Sequence, residues 1–442
     1  EIKVIDPCMG SGHILVYAFD VLMQIYTASG WDQREAAQSI LRNNLYGLDI
    51  DDRAAQLAYF AVMMKARQYD RRLFSRGIQP NLYAIRESNG IPAMAIEYFH
   101  NNDPELKADI TRIVKEMWDA KEYGSILNIT PVDFDRLYDR FDEIYDDISI
   151  LRTTVWNELL PVVRCAEVLA QKYEVVATNP PYIGRRNLNR ALCNYLDTFY
   201  PASKMDLFSA FIERNLSYCR KNYFSAYMTP FVWLFLGSYT SLRKNILTSS
   251  SVCSFVQPQE TSFQDAAVSI CSFVLKKVHM NYRSAYIKQS EFNDPRIQAQ
   301  LLQNAASSLD CEYRFDVNMK IFYNFPDYRF IYWAGNGLQA SFSHGTNLGD
   351  VCQPRQGMAT TNNDLFLRLW HEVNLKRAGF KCKDEDDSLK SGMKWFPYNK
   401  GGGYRKWYGK DPSDREMKAF LGVSIERLED IKKALRMSKI ES

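Results

Sequence analysis

Short apolar runs alternate with longer amphipathic stretches from the first residues onward: Ile2 to Ile5, Ile14 to Tyr26, Leu45 to Leu48, then Ala54 to Ala66. This strand, helix, strand, helix rhythm belongs to a parallel sheet covered by helices on both faces, and it predicts an α/β, doubly wound, Rossmann-like domain. A third strand is predicted from Asn81 to Ile85, after which the sequence between Ile91 and Lys172 becomes charged and helix-favouring. That stretch is expected to be a helical insertion. The sheet is expected to resume at Tyr173 to Thr178, Phe224 to Met228, Val252 to Val256 and Ser269 to Leu275, with helices over Met205 to Lys221 and Ser238 to Leu247. Beyond about Asn281 the periodicity weakens, aromatic residues become dense and glycines cluster at Gly401, Gly402 and Gly403. The expected organisation is a sheet domain from 1–90 and 173–280, a helical insertion from 91–172, and a second, α+β region from 281–442.

A chain of 442 residues has room for two or three such cores. It is 46% hydrophobic and 24% charged, and no apolar run approaches the roughly 18 residues that a bilayer crossing needs. A soluble, cytoplasmic protein without membrane contact is expected. The nine cysteines show no C-x-x-C pairing and their number is odd, which suits reduced thiols better than disulfides or a zinc ribbon. No metal site is expected, and the five histidines show no catalytic or ligating spacing. The formal charge of +3 is small for this length, so any contact with nucleic acid has to be local. The chain opens at Glu1 inside a strand-like run and closes at Ser442 inside a charged helical pattern, so both ends are expected to be cut from something longer.

Three motifs carry chemistry. Asp6-Pro7-Cys8-Met9-Gly10-Ser11-Gly12-His13 lies between an apolar strand and an amphipathic helix. Gly10 and Gly12 at such a turn let the backbone approach a ligand, and the helix start offers unpaired N–H groups to a carboxylate or phosphate. A purely structural tight turn uses the same residues. Asp6 at the strand end can accept a bond from an ammonium group. Gly47-Leu48-Asp49-Ile50-Asp51 closes the next strand, where an acid is placed to take both hydroxyls of a nucleoside ribose. Asp51 or Asp52 also suits the cap of the following helix, which leaves Asp49 for the ligand.

Asn179-Pro180-Pro181-Tyr182 follows the strand Val175 to Thr178 directly. At ordinary residue frequencies this tetrapeptide arises by chance in roughly one in a thousand chains of this length. An amide oxygen and a proline-held carbonyl can both accept from an amino group, directing its lone pair at a sulfonium methyl. The prolines fix the backbone and bring no donors of their own. The tyrosine ring offers a stacking face to a base taken out of a helix.

In this order the motifs resemble the amino-methyltransferases of the gamma class, whose cofactor motif precedes a catalytic N-P-P-Y. The resemblance implies S-adenosylmethionine as cofactor, held by Asp6, Cys8, Gly10, Gly12, Asp49 and Ile50. Asp206-Leu207-Phe208-Ser209-Ala210-Phe211 is similar to the family's helix that closes the cofactor's adenine pocket, which gives Phe211 that place. Ser262-Phe263-Gln264-Asp265-Ala266-Ala267-Val268-Ser269 is similar to the segment whose phenylalanine stacks on the flipped adenine, so Phe263 and Tyr182 would pinch the target base. A loop aromatic tucked into the core is the alternative for Phe263. Glu87, in Arg86-Glu87-Ser88-Asn89, is the candidate contact to the cofactor's adenine amino group, with a solvated carboxylate as the alternative.

Arg185, Arg186 and Arg190 follow the catalytic loop as phosphate contacts on double-stranded DNA, or as an ordinary solvated loop. More narrowly, Asp6 to Gln24, Gln356 to Asp364 and Lys394 to Gly402 resemble the PglX-type adenine methyltransferases of the BREX phage-defence systems. That likeness implies site-specific methylation of adenine in DNA, other defence proteins as partners, and a target-recognition region beginning after 281. It also departs from the family pattern in two ways: the extra cofactor motif that precedes the glycine turn is missing, and the target-recognition region is incomplete. Methylation of a protein glutamine or an RNA base, the modification half of a fused restriction-modification enzyme, and a DNA-binding subunit without turnover remain alternatives.

Overall fold

The computed structural model describes residues 2–259, 269–292, 294–352, 366–382, 385–398 and 419–422. The chain divides into two compact units, Glu1–Gly345 and Thr346–Ser442. The first is built on a nine-stranded sheet: β1 (Val4–Asp6), β2 (Leu45–Asp49), β3 (Asn81–Ala84), β4 (Tyr173–Thr178), β5 (Cys219–Pro230), β6 (Ser251–Gln257), β7 (Ile270–Lys276), β8 (Arg283–Lys288) and β9 (Arg314–Asn318). Their spatial order is β3-β2-β1-β4-β5-β7-β6-β8-β9. The strands from β3 to β5 are parallel and β7 runs against both its neighbours. This is the doubly wound, Rossmann-like sheet that the sequence rhythm predicts.

The strand period of two decides which residues meet which layer. Val4, Leu45 and Leu82 point into a core with Leu15 and Phe19 of the helix His13–Ala28 and with Ala58 and Val62 of the helix Asp52–Arg67. Ile5, Tyr46, Leu48 and Val176 point the other way, against Ile110, Leu159 and Val163 of the helical segment. That segment, expected as an insertion from 91–172, carries helices over Ala93–His100, Pro104–Glu116, Ala120–Tyr123, Phe134–Glu143, Ile150–Thr154 and Leu160–Ala170. The last two are joined through a π-helical turn, Val155–Leu159. The wider turn lies just before Pro161, which has no N–H to give to the α ladder. Leu160–Ala170 packs directly on the sheet and feeds β4, so part of the expected insertion is a sheet layer.

Two expectations differ from the structure. The helix expected to reach Lys221 spans Leu207–Tyr218, because Cys219 already pairs with Tyr173 at the start of β5. The boundary expected near 281 falls inside the sheet: β8 pairs parallel with β6, and β9 pairs antiparallel with β8. The dense aromatics that suggested a new domain are core instead. Tyr286 stacks on Tyr332 at 5.0 Å and Phe322 on Phe330 at 4.3 Å, and all four share one cluster with Phe255 and Phe273.

The second unit contains a three-stranded antiparallel sheet in which Ala419–Gly422 lies between Leu367–Leu369 and Trp395–Tyr398. Gln356 to Asp364 and Gly401 to Gly403 lie outside the described residues. No helix among the described residues is long and apolar enough to cross a membrane, and none of the nine cysteines is in a disulfide.

Candidate active site

In an open α/β sheet, ligands bind beyond the carboxyl ends of the strands, at the point where the strand order reverses. Here that point lies between β1 and β4, where Val4 pairs with Val175 and Ile5 with Val176. The glycine turn leaves the end of β1 and the Asn-Pro-Pro-Tyr loop leaves the end of β4. Topology therefore brings residues about 170 positions apart to one edge.

Asp6 joins the two loops. It is 1% exposed, and its Oδ1 accepts the Cys8 N–H at 3.0 Å and the Thr178 hydroxyl at 2.7 Å. Burial raises its carboxyl to about 7, against the lowering effect of those two bonds, and the nearby Asp49 adds to the rise. Asp49 is tied to the same turn. Its Oδ2 accepts the Gly10 N–H and its Oδ1 the Asp51 N–H, both at 2.9 Å. Each Asp49 oxygen thus takes one backbone donor and keeps a lone pair. Asp51 is the helix cap, accepting from Arg53 N at 2.8 Å. Gly12 has φ +84, and a Cβ on it would lie 3.0 Å from Ala58, so only glycine lets this turn press against the neighbouring helix. No side chain caps the helix that starts there.

Asn179 is exposed while Pro180 is buried. The Tyr182 hydroxyl donates to Asn179 Oδ1 at 2.7 Å and also faces the Met228 carbonyl at 3.2 Å. Its ring stands edge-on to Phe208, with centroids 6.3 Å apart, and burial pushes the phenol up to about 12. Beyond the loop the backbone is stitched to the start of the helix Leu207–Tyr218. Leu207 N–H donates to the Ile183 carbonyl and Arg185 N–H to the Met205 carbonyl, both at 3.0 Å, and Asp206 caps the helix through Phe208 N. This pairing swings Phe211 into the site.

A cavity of about 420 Å³ opens where these elements meet, and Cys8, Asp49, Ile50, Asn179, Pro181 and Phe211 all line it. The Cys8 thiol, packed beside Asp6, is pushed up by burial. Sequence reasoning missed one wall. Lys121 to Ser125, from the helical segment, also line this cavity, and nothing in their local pattern signals it.

Glu87 is not brought to this place. It is exposed and lines a separate cavity of about 600 Å³ with Tyr83, Arg86 and Glu158, because the chain after β3 turns away along the helical segment. Phe263 lies outside the described residues. Arg185 pairs with Asp197 at 2.6 Å, and Lys204 holds the other oxygen at 2.9 Å, which keeps that carboxyl below its usual range. Arg186 and Arg190 are exposed and form no ion pair among the described residues. Among those residues, no three of His, Cys, Asp or Glu gather as a metal site.

A family profile described as the Eco57I restriction-modification methylase matches residues 43–263, half of the chain and the whole stretch from β2 past the Asn-Pro-Pro-Tyr loop. The chain belongs to that methylase family. It is also 32% identical over 421 residues to an adenine-specific methyltransferase PglX of Lacticaseibacillus casei (strain Zhang), a match covering 92% of this chain and 35% of that protein. An adenine-specific methyltransferase BrxX of Escherichia coli O9:H4 (strain HS) is 32% identical over 439 residues, with the same two shares. The chain therefore spans about a third of the length of these relatives. Among solved structures, a Type ISP restriction-modification enzyme, LlaBIII, bound to DNA is 13% identical over 69% of this chain and 18% of its own, with a TM-score of 0.43.

Proposed function

We propose that this chain is the methyl-transfer core of a site-specific DNA adenine methyltransferase, using S-adenosylmethionine, acting in the cytoplasm in BREX-type phage defence. One observation carries the proposal. The ends of β1, β2 and β4 place Cys8, Asp49, Ile50 and Asn179 around a single cavity of about 420 Å³, with Phe211 closing it. That volume lies in the range of roughly 300–1,000 Å³ in which small-molecule sites fall.

The donor set fits the cofactor. Asp49 keeps lone pairs for the ribose hydroxyls, Ile50 and Phe211 offer apolar faces to the adenine, and Cys8 lines the part of the cavity left for the amino-acid end, with Asp6 buried behind it holding the turn. When bound, the cofactor supplies an electrophilic methyl on a sulfonium. The chain's own work is to present the acceptor. Asn179 Oδ1 already holds the Tyr182 hydroxyl and has a second lone pair for one hydrogen of the adenine amino group; the Pro180 carbonyl takes the other. With both hydrogens engaged, the nitrogen lone pair points along the line of transfer, and the nitrogen then sheds its extra proton to water.

Extrusion of the adenine costs a few kcal/mol, and stacking between Tyr182 and Phe263 at about 1–3 kcal/mol per face offsets it. Arg186 and Arg190 hold phosphates beside the extruded nucleotide, the unit from Thr346 onward begins target recognition, and other defence proteins are partners.

The test is Asn179→Ala, assayed by tritiated-methyl transfer to adenine-containing duplex DNA. We expect transfer to fall by about a hundredfold or more, with S-adenosylhomocysteine binding within about twofold of wild type. Undiminished transfer overturns the catalytic assignment. Absence of transfer by the unaltered protein, with DNA binding retained, points instead to a DNA-binding subunit.

A further inference from the structure

Among the described residues, two carboxylates line this cavity, Asp49 and Glu122. Asp49 sits at the β2 end with a backbone N–H on each oxygen, the position suited to a ribose diol. Glu122 lies on the facing wall, in the short helix Ala120–Tyr123 of the helical segment. Its Oε1 accepts the Asn189 side-chain amide, while its Oε2 has no hydrogen bond or ion pair among the described residues.

This wall is built rather than incidental. The Ser125 hydroxyl donates to the Pro7 carbonyl of the glycine turn, and its own carbonyl accepts the Tyr218 hydroxyl at 2.7 Å. Lys121 reaches Asp52 at 3.2 Å, beside the end of β2. Gly124 lies against Ile50: a Cβ there would sit 3.1 Å from the Ile50 Cγ2, and the glycine's φ is +62. Tyr123 and Ile126 join Phe211 and Cys8 in one apolar cluster. The helical segment is therefore fastened against the residues expected to flank an adenine ring, and its free carboxylate oxygen belongs to the same cavity.

We propose that the helical segment is part of the cofactor site, with Glu122 as the carboxylate that accepts the cofactor's adenine amino group, the task for which sequence alone offered Glu87. The assignment rests on the methyltransferase reading above. Gly124 leaves the edge of Ile50 uncovered so that the ring can slide between Ile50 and Phe211. Asn189 holds Glu122 in place from the segment that follows the catalytic loop, which links base recognition in the cofactor pocket to the loop carrying Asn179.

Calorimetry on the intact protein tests this, using S-adenosylhomocysteine and its inosine counterpart, in which the amino group is an oxo group. The wild type should prefer the adenosyl compound. Glu122→Gln, an exposed position whose replacement leaves the packing alone, should weaken adenosyl binding by about ten- to a hundredfold and abolish that preference. Glu87→Gln should change neither. Adenosyl binding by Glu122→Gln within twofold of wild type, with the preference kept, overturns the assignment while leaving the methyltransferase reading intact. A wild-type protein that binds neither compound overturns both.

Discussion

Asp6 shows how much one buried side chain can be asked to do. Sequence placed it at a strand end beside a glycine turn; the fold removed it from water and gave its Oδ1 two donors, one from the glycine turn and one from the end of β4. Its carboxyl is raised from the usual carboxylate range to about 7 by burial. Between about pH 4 and 7 the folded chain therefore binds more protons at this position than the unfolded chain does. Its contribution to stability falls as pH rises through that window and stays low above it, by about 4 kcal/mol at most. We expect the urea midpoint of the wild type to drop relative to that of Asp6→Asn between pH 5 and 8. Parallel pH profiles for the two proteins would show that the Asp6 carboxyl is ionised when buried. Tyr182 makes a similar point at the Asn-Pro-Pro-Tyr loop, where the motif predicts a stacking ring but not the hydroxyl that orients the Asn179 amide.

At the scale of elements, the decisive contact is between the helix Leu207–Tyr218 and the segment around Ser125. Arg214 on that helix is 4% exposed and has no carboxylate partner among the described residues. Its guanidinium donates to the Leu169 carbonyl at 2.9 Å, to Asn128 Oδ1 at 3.0 Å and to the Ser125 carbonyl at 3.4 Å, and lies 3.8 Å over the Tyr218 ring. Replacement by leucine takes the guanidinium donor from the buried Leu169 carbonyl and one of two donors from the Ser125 carbonyl, which keeps the Tyr218 hydroxyl. Arg214→Leu should lose about 3 kcal/mol in urea unfolding, and the freed Ser125 segment should also weaken S-adenosylhomocysteine binding. Tyr218→Phe removes only the hydroxyl's bond to the Ser125 carbonyl and should cost about 1 kcal/mol. A loss in Arg214→Leu no larger than in Tyr218→Phe would mean that the guanidinium is not what holds the wall. That this segment is helical is legible in its charged, helix-favouring sequence. Which face of the sheet domain they would seal was not, because the partners of Ser125 are Pro7 and Tyr218, 118 and 93 positions away.

For the whole molecule, the small net charge of +3 means that the proposed contact with DNA would have to come from a few placed cations. Three arginines follow the Asn-Pro-Pro-Tyr loop in sequence, but the fold pairs Arg185 with Asp197 and leaves Arg186 and Arg190 exposed, without an ion pair among the described residues. The double variant Arg186→Ala, Arg190→Ala should reduce the slope of log K against log salt for duplex binding by about 2, while Arg185→Ala should leave the slope unchanged. Equal effects from all three positions would show that the Arg185–Asp197 pair opens on DNA. The same scale holds the largest departure from expectation. Aromatic density after 281 reads as a new domain, yet Tyr286, Phe322, Phe330 and Tyr332 complete the core of the first unit, which runs to Gly345. Composition records that aromatics are buried, not which sheet buries them.

Sequence alone determined the alternation of strands and helices, the glycine turn, the acid at the end of β2 and the Asn-Pro-Pro-Tyr loop, because each follows from local spacing and strand-end chemistry. Tertiary structure alone decided that Asp6 grips Thr178, that Glu87 faces away, that Lys121 to Ser125 wall the cavity and that Arg185 is already paired. Those outcomes depend on contacts between distant parts of the chain, formed only when helices fill the two faces of one sheet, and no local pattern records them.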